Sequence, residues 1–163
     1  MTKNSLSQFS NFSAHFATLQ LADSFFPSGL FTQSHGLESF IAAGVSGESQ
    51  LEPLLHSYLL HVAAPGDALA VRWTVRAGRQ GDLDLVAAID ARLEASKLAQ
   101  EGRAVSRRCG GRILIFGAEL YGGECLPVYA QRVAAGQAPG HQAVALALLA
   151  VNNDLDEDTA VMI

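Results

Sequence analysis

Five histidines, two cysteines and a run of arginines are the side chains of this 163-residue chain whose types could carry chemistry. A metal pair on a helix needs ligands three or four residues apart. His56 and His61 are five apart, about 140° around a helical axis, so they diverge. His35 and Glu38 are three apart and would share a face if both were helical, but Gly36 stands between them. That pair supports one reading, a small helical enzyme or ligand-binding bundle with His35 and Glu38 in a pocket. Ser34 and His35 are sequential, whereas a nucleophile and its base are recognised by spatial geometry. Cys109 and Cys125 form neither a CxxC pair nor a disulfide framework and read as reduced buried thiols. No nucleophile elbow, phosphate loop, HExxH or dinucleotide fingerprint occurs. The residues thus predict no metal site, no cofactor and no enzyme.

Arg103, Arg107, Arg108 and Arg112 fall within ten residues. On a helix, Arg103 and Arg107 lie within about 40° of each other, and Arg108 and Arg112 form a second line over 100° away. The cluster therefore brackets the helix and makes no single nucleic-acid stripe. Solvated arginines flanking a core stripe and a docking surface for an acidic partner both fit this spacing.

The elements that hold these residues are helical. From Leu51, the apolar positions Leu51, Leu54, Leu55, Tyr58, Leu59 and Val62 have the period of a helix buried on one face. Ser49 and Glu52 could close a capping box, and Glu52-Pro53 could equally be cap and first helical residue. Pro65-Gly66 is expected to break that helix, with a short one over 68–77 ending at Gly78. Asp82 reads as the N-cap of a helix to about Ala95, with Leu83, Val86, Ile89 and Leu93 inward. A long helix follows from about Lys97 to Tyr121, stopped by Gly122-Gly123, with the stripe Val105, Cys109, Ile113, Phe116 and Leu120. Gly110-Gly111 inside it costs roughly 1 kcal/mol per glycine relative to alanine, which close approach of a neighbouring helix would offset. Further helices cover 127–135 and 140–151, and Asp154 to Asp158 begins another. The fold class is all-α, a single-domain orthogonal or irregular bundle of about six to eight helices, with residues 1–16 a flexible arm.

Composition bounds the partners. Apolar residues make up 49% and charged ones only 17%, against about 25% in an ordinary soluble domain, so a partner is expected to cover some apolar surface. Net charge is −5, which gives no general attraction to nucleic acid. No apolar run suits a signal peptide, and the longest, Ala143 to Val151, is far short of the ~20 residues that span a bilayer. A cytoplasmic chain with no membrane role is expected.

The segment Leu19 to Glu38 contains no lysine or arginine and joins an apolar helix start, a Pro-Ser-Gly turn and a Ser-His-Gly-Leu-Glu run. Phe26 to Gly29 fits a β-turn, Gly36 a backbone needing freedom before a helix, and Glu38 the first turn of that helix. Asp23, Ser24, Pro27, Gly29, Ser34, Gly36, Leu37 and Glu38 together resemble the N-terminal signature of the urease accessory protein UreF family. SRRCGGRILIF, with Arg107, Arg108, Gly110 and Arg112, is similar to a second family run, and Gly140-His141 ahead of Val144 to a third. The resemblance implies an all-helical, non-catalytic scaffold over residues 17–163 for assembly of the nickel site of urease. Such a scaffold joins UreD/UreH to the GTPase UreG on the urease apoprotein, and these residues would be structural or contact positions. Family members continue past the Gly-His helix. The expectation is a chain short at its C-terminal end, with an exposed core edge that favours self-association or a homodimer.

Overall fold

The computed structural model describes residues 14–23, 25–26, 34 and 36–163. Every regular element among them is helical: α1 (residues 14–22), α2 (Leu37–Ala42), α3 (Glu48–Tyr58), α4 (Leu69–Arg79), α5 (Leu83–Ser96), α6 (Gln100–Tyr121), α7 (Cys125–Ala134), α8 (Gln142–Asn152) and α9 (Glu157–Met162). A π-helical stretch, Leu59–Ala68, links α3 to α4. Counting that continuous run once, the described residues form eight helical rods.

The centre is α8. Its sequence, QAVALALLAVN, is apolar on nearly every side, and a helix of that kind is stable only where neighbours surround it. Ala143, Val144, Ala145, Ala147, Leu148, Leu149 and Ala150 are all buried. Helices α4 and α6 flank α8 most closely, α5 packs on α4, and α7 on α6. Small residues let the rods approach. A Cβ at Gly117 would sit 2.7 Å from Leu149 Cδ2, and one at Gly78 3.2 Å from Val151 Cγ2.

The caps follow local chemistry. Asp82 accepts from the Leu85 amide at 2.9 Å, and Asp156 accepts from Thr159 at 2.7 Å. Gly36, at φ 90°, opens α2 in the left-handed region that favours glycine, with Glu38 in the first turn. Val86 and Leu93 of α5 are buried, and Leu83 and Ile89 half-buried against the same core.

Four expectations are corrected. Pro65 does not break the helix. The wider π turn shifts the backbone bonding from i−4 to i−5, which relieves the clash of the proline ring with the carbonyl four residues back. The start of α3 uses neither proposed cap. Gly47 is the N-cap, the side chain of Gln50 receives the Ser46 amide at 2.8 Å, and Pro53 sits inside the helix. The Leu51–Val62 stripe is helical, yet no residue of α3 or the π stretch is buried. Its main described contacts are along its own rod, so Leu55, Leu59 and Val62 remain about half-exposed. On α6 the inward face is Ser106, Cys109, Gly110, Ile113, Leu114 and Gly117, leaving Phe116 and Leu120 outside. The helix is rolled so that its smallest residues meet α8.

At the C-terminal end, Leu155 and Ala160 are buried while Met162 is exposed. The acidic residues there pair with α4: Arg76 forks onto Glu157 at 2.9 and 2.8 Å, Arg72 bonds Asp158, and Arg79 donates to the Leu155 carbonyl. No helix among the described residues is long and apolar enough to cross a membrane.

Candidate functional site

The second and third sequence motifs meet in space. Gly110, midway along α6, is pressed against the Gly140-His141 backbone that leads into α8. Gly140 itself has φ 74°, and a side chain there would strike Val133. Only glycine at both positions lets the chain enter α8 so close to α6.

Two carboxylates of α5 hold this crossing. Asp90, fully buried, accepts from the Tyr129 hydroxyl at 2.7 Å, the Gly140 amide at 2.7 Å and the His141 amide at 3.1 Å. His141, also fully buried, has Nε2 2.7 Å from Glu94 Oε2 and Nδ1 3.0 Å from Ser106 Oγ. Ser106 Oγ also lies 3.4 Å from the Gln142 amide. One neutral tautomer satisfies every group. Nε2–H donates to Glu94, the Ser106 hydroxyl donates to Nδ1, and Ser106 accepts from Gln142. Burial pushes the His141 pKa down against the pull of Asp90 and Glu94, which agrees with that neutral form. Burial first, and then Asp90, raises the Tyr129 hydroxyl far above its usual range, so it stays a donor. The other oxygen of Glu94 faces Arg103 at 3.6 Å and Arg107 at 3.4 Å.

Ser106, His141 and Glu94 stand in the order of a nucleophilic triad, but a reacting carbonyl would have to reach Ser106 Oγ. That atom lies under the first turn of α8, in a residue 7% exposed. What this arrangement does chemically is satisfy buried polar groups and fix the junction of α5, α6, α7 and α8. The thiols are similarly muted. Burial raises the Cys109 pKa, with Arg108 and Arg112 opposing, and raises that of Cys125. No group of three or more His, Cys, Asp or Glu among the described residues is placed to hold a metal ion.

The other motif residues are surface or turn positions. Asp23 is exposed, and its side chain accepts from the Phe25 amide at 2.8 Å, closing a turn that lets Phe26 bury. Ser34 is half-buried, and its carbonyl receives the Leu37 amide at 3.0 Å. Leu37 is half-buried and Glu38 exposed. Ser24, Pro27 and Gly29, with the turn expected there, and His35 of the pocket reading lie outside the described residues. Arg107 turns to Glu94, while Arg108 and Arg112 point outward, so the bracketing geometry expected for the cluster is present.

Sequence reasoning missed Asp90, Glu94, Ser106 and Tyr129. A signal for Asp90 existed: it falls on the inward line Val86, Asp90, Leu93, and a carboxylate on an apolar stripe calls for buried donors.

Comparison with known proteins agrees with the motifs. The family model described as UreF matches residues 45–163. The urease accessory protein UreF of Lachnoclostridium phytofermentans is 36% identical over 145 residues, covering 88% of this chain and 64% of the relative. That of Paenarthrobacter aurescens is 37% identical over 135 residues, covering 82% and 58%. That of Kocuria rhizophila is 36% identical over 148 residues, covering 88% and 60%. The chain thus spans about three fifths of the length of these curated relatives. With the family model matching most of the sequence, the chain belongs to the UreF family.

Proposed function

We propose that this chain is a non-catalytic helical scaffold in urease maturation, joining UreD/UreH to the GTPase UreG on the urease apoprotein in the cytoplasm. It neither holds nickel tightly nor makes or breaks bonds, and it needs no cofactor of its own. The observation that carries this reading is the contrast between a closed centre and apolar outer rods. Seven of the eleven residues of α8 are buried, yet Leu55, Leu59, Leu60, Val62, Trp73 and Leu120 remain about half-exposed or more. Apolar surface of that extent, on a chain of the UreF family, supports a role in binding other proteins.

Co-purification tests it. The tagged chain, co-expressed with UreD/UreH and UreG, is expected to retain both through gel filtration and to raise nickel loading of apo-urease. Retention of neither protein would overturn the reading.

A further inference from the structure

We infer that the outer face of α6, from Arg108 to Leu120, is a docking surface for an acidic amphipathic helix of a partner protein. This rests on the scaffold reading and adds to it a surface and the chemistry that fits it. The face is apolar at one end, where Ile115 is 57%, Phe116 39% and Leu120 63% exposed. At the other end stand two guanidinium groups.

Those two arginines differ from every other arginine except Arg92 of α5, which is likewise exposed and reaches no carboxylate among the described residues. Arg72, Arg76, Arg103, Arg107 and Arg132 each reach a carboxylate, and Arg79 holds the Leu155 carbonyl. Arg108 and Arg112 are exposed and reach no carboxylate among the described residues, although acidic side chains outnumber basic ones, 16 to 11. They are four residues apart, about 6 Å along the axis, which matches two carboxylates at i and i+4 on a facing helix. The whole face is about 18 Å long, enough for three to four turns of a partner. Exposed Glu119 lies at the apolar end and repels acid there, so a docked helix is oriented with its carboxylates toward Arg108 and Arg112. Glu119 and the net charge of −5 also disfavour nucleic acid on this face.

The test uses the full chain and two fluorescein-labelled, alanine-rich helical peptides. One carries Glu pairs at i, i+4 beside a leucine stripe; its twin carries Lys in place of Glu. Fluorescence anisotropy is expected to show the acidic peptide binding at least about tenfold more tightly than the twin. The variant R108E/R112E is expected to invert that preference with an unchanged circular dichroism spectrum and melting temperature, because both side chains project into solvent. Equal affinity for the two peptides, no binding of the acidic one, or tighter binding of a duplex oligonucleotide would overturn the inference. Co-purification separates it from the scaffold reading. A UreD/UreH–UreG complex that forms equally well on R108E/R112E sinks the surface alone, whereas no complex on the unaltered chain sinks the scaffold and leaves the peptide inversion to decide the surface.

Discussion

The carbonyl oxygen of Gly140 occupies the space in which a side chain on Gly110 would begin; a Cβ there would lie 2.1 Å away. Both the obstructing atom and the helix carrying Gly110 are backbone, so neither can swing aside. Gly110→Ala is therefore expected to destabilise the fold by about 3 kcal/mol. The adjacent Gly111 has nothing within 4 Å of its Cβ position, and Gly111→Ala is expected to stabilise by up to about 1 kcal/mol through helix propensity. Urea denaturation of both variants checks the opposite signs, and equal effects would contradict the close approach.

Protonation of His141 is linked to folding. Its folded pKa lies below the ordinary imidazole value near 6.5, so below that pH the unfolded chain binds the proton more readily. Stability is expected to be full above about pH 6.5 and to decline as pH falls toward the folded pKa. His141→Gln should be less stable at pH 7.5 yet lose this decline. Melting temperatures measured from pH 7.5 to 5.5 distinguish the cases; a parallel decline in both proteins would show another group is responsible.

Asp90 is expected to matter more than any of its donors. Asp90→Ala strands two buried amides and a buried hydroxyl, at about 3–5 kcal/mol. Tyr129→Phe removes one donor and leaves Asp90 two amides, at about 1–2 kcal/mol. The double variant should cost less than the two single losses added together, because the groups share one network. Strict additivity in denaturant titrations would argue against it.

Acid is expected to loosen α9 before the body of the fold. The hydrogen bonds from Arg76 hold the Glu157 carboxyl below its ordinary value. That contribution is complete above the unfolded carboxylate range and is lost as pH falls through the folded value. Relative to intrinsic exchange at the same pH, the protection of α9 amides should fall at pH 3–4, and in Glu157→Gln at neutral pH, with the protection of α8 amides unchanged. Simultaneous exchange of both helices would count against separate docking.

Much of this was legible in the sequence, and the failures have a common cause. Asp82 and Gly122-Gly123 set helix ends through local bonding and backbone freedom, so they could be read from neighbouring residues alone. The stripe of α5 was legible because its apolar residues do face the core. Periodicity says which residues share a face, but not whether anything covers it, and so the Leu51–Val62 stripe misled. On α6 hydrophobic periodicity points the bulky residues inward because it carries no information about volume; glycine and serine at 106, 110 and 117 face α8, the side that demands close approach. The network around Asp90 joins residues up to 51 positions apart and could not be seen in any local window.

Pro65, by failing to interrupt its helix, leaves residues 48–79 as one rod whose buried side chains lie only in the α4 third. The rod is seated at one end on α8 and tied near its middle to the end of α5 by the 2.7 Å ion pair of Lys97 with Asp67. A partner that grips residues 48–58 therefore holds the fold by a handle with no buried side chain of its own, joined to the core through the π stretch and α4.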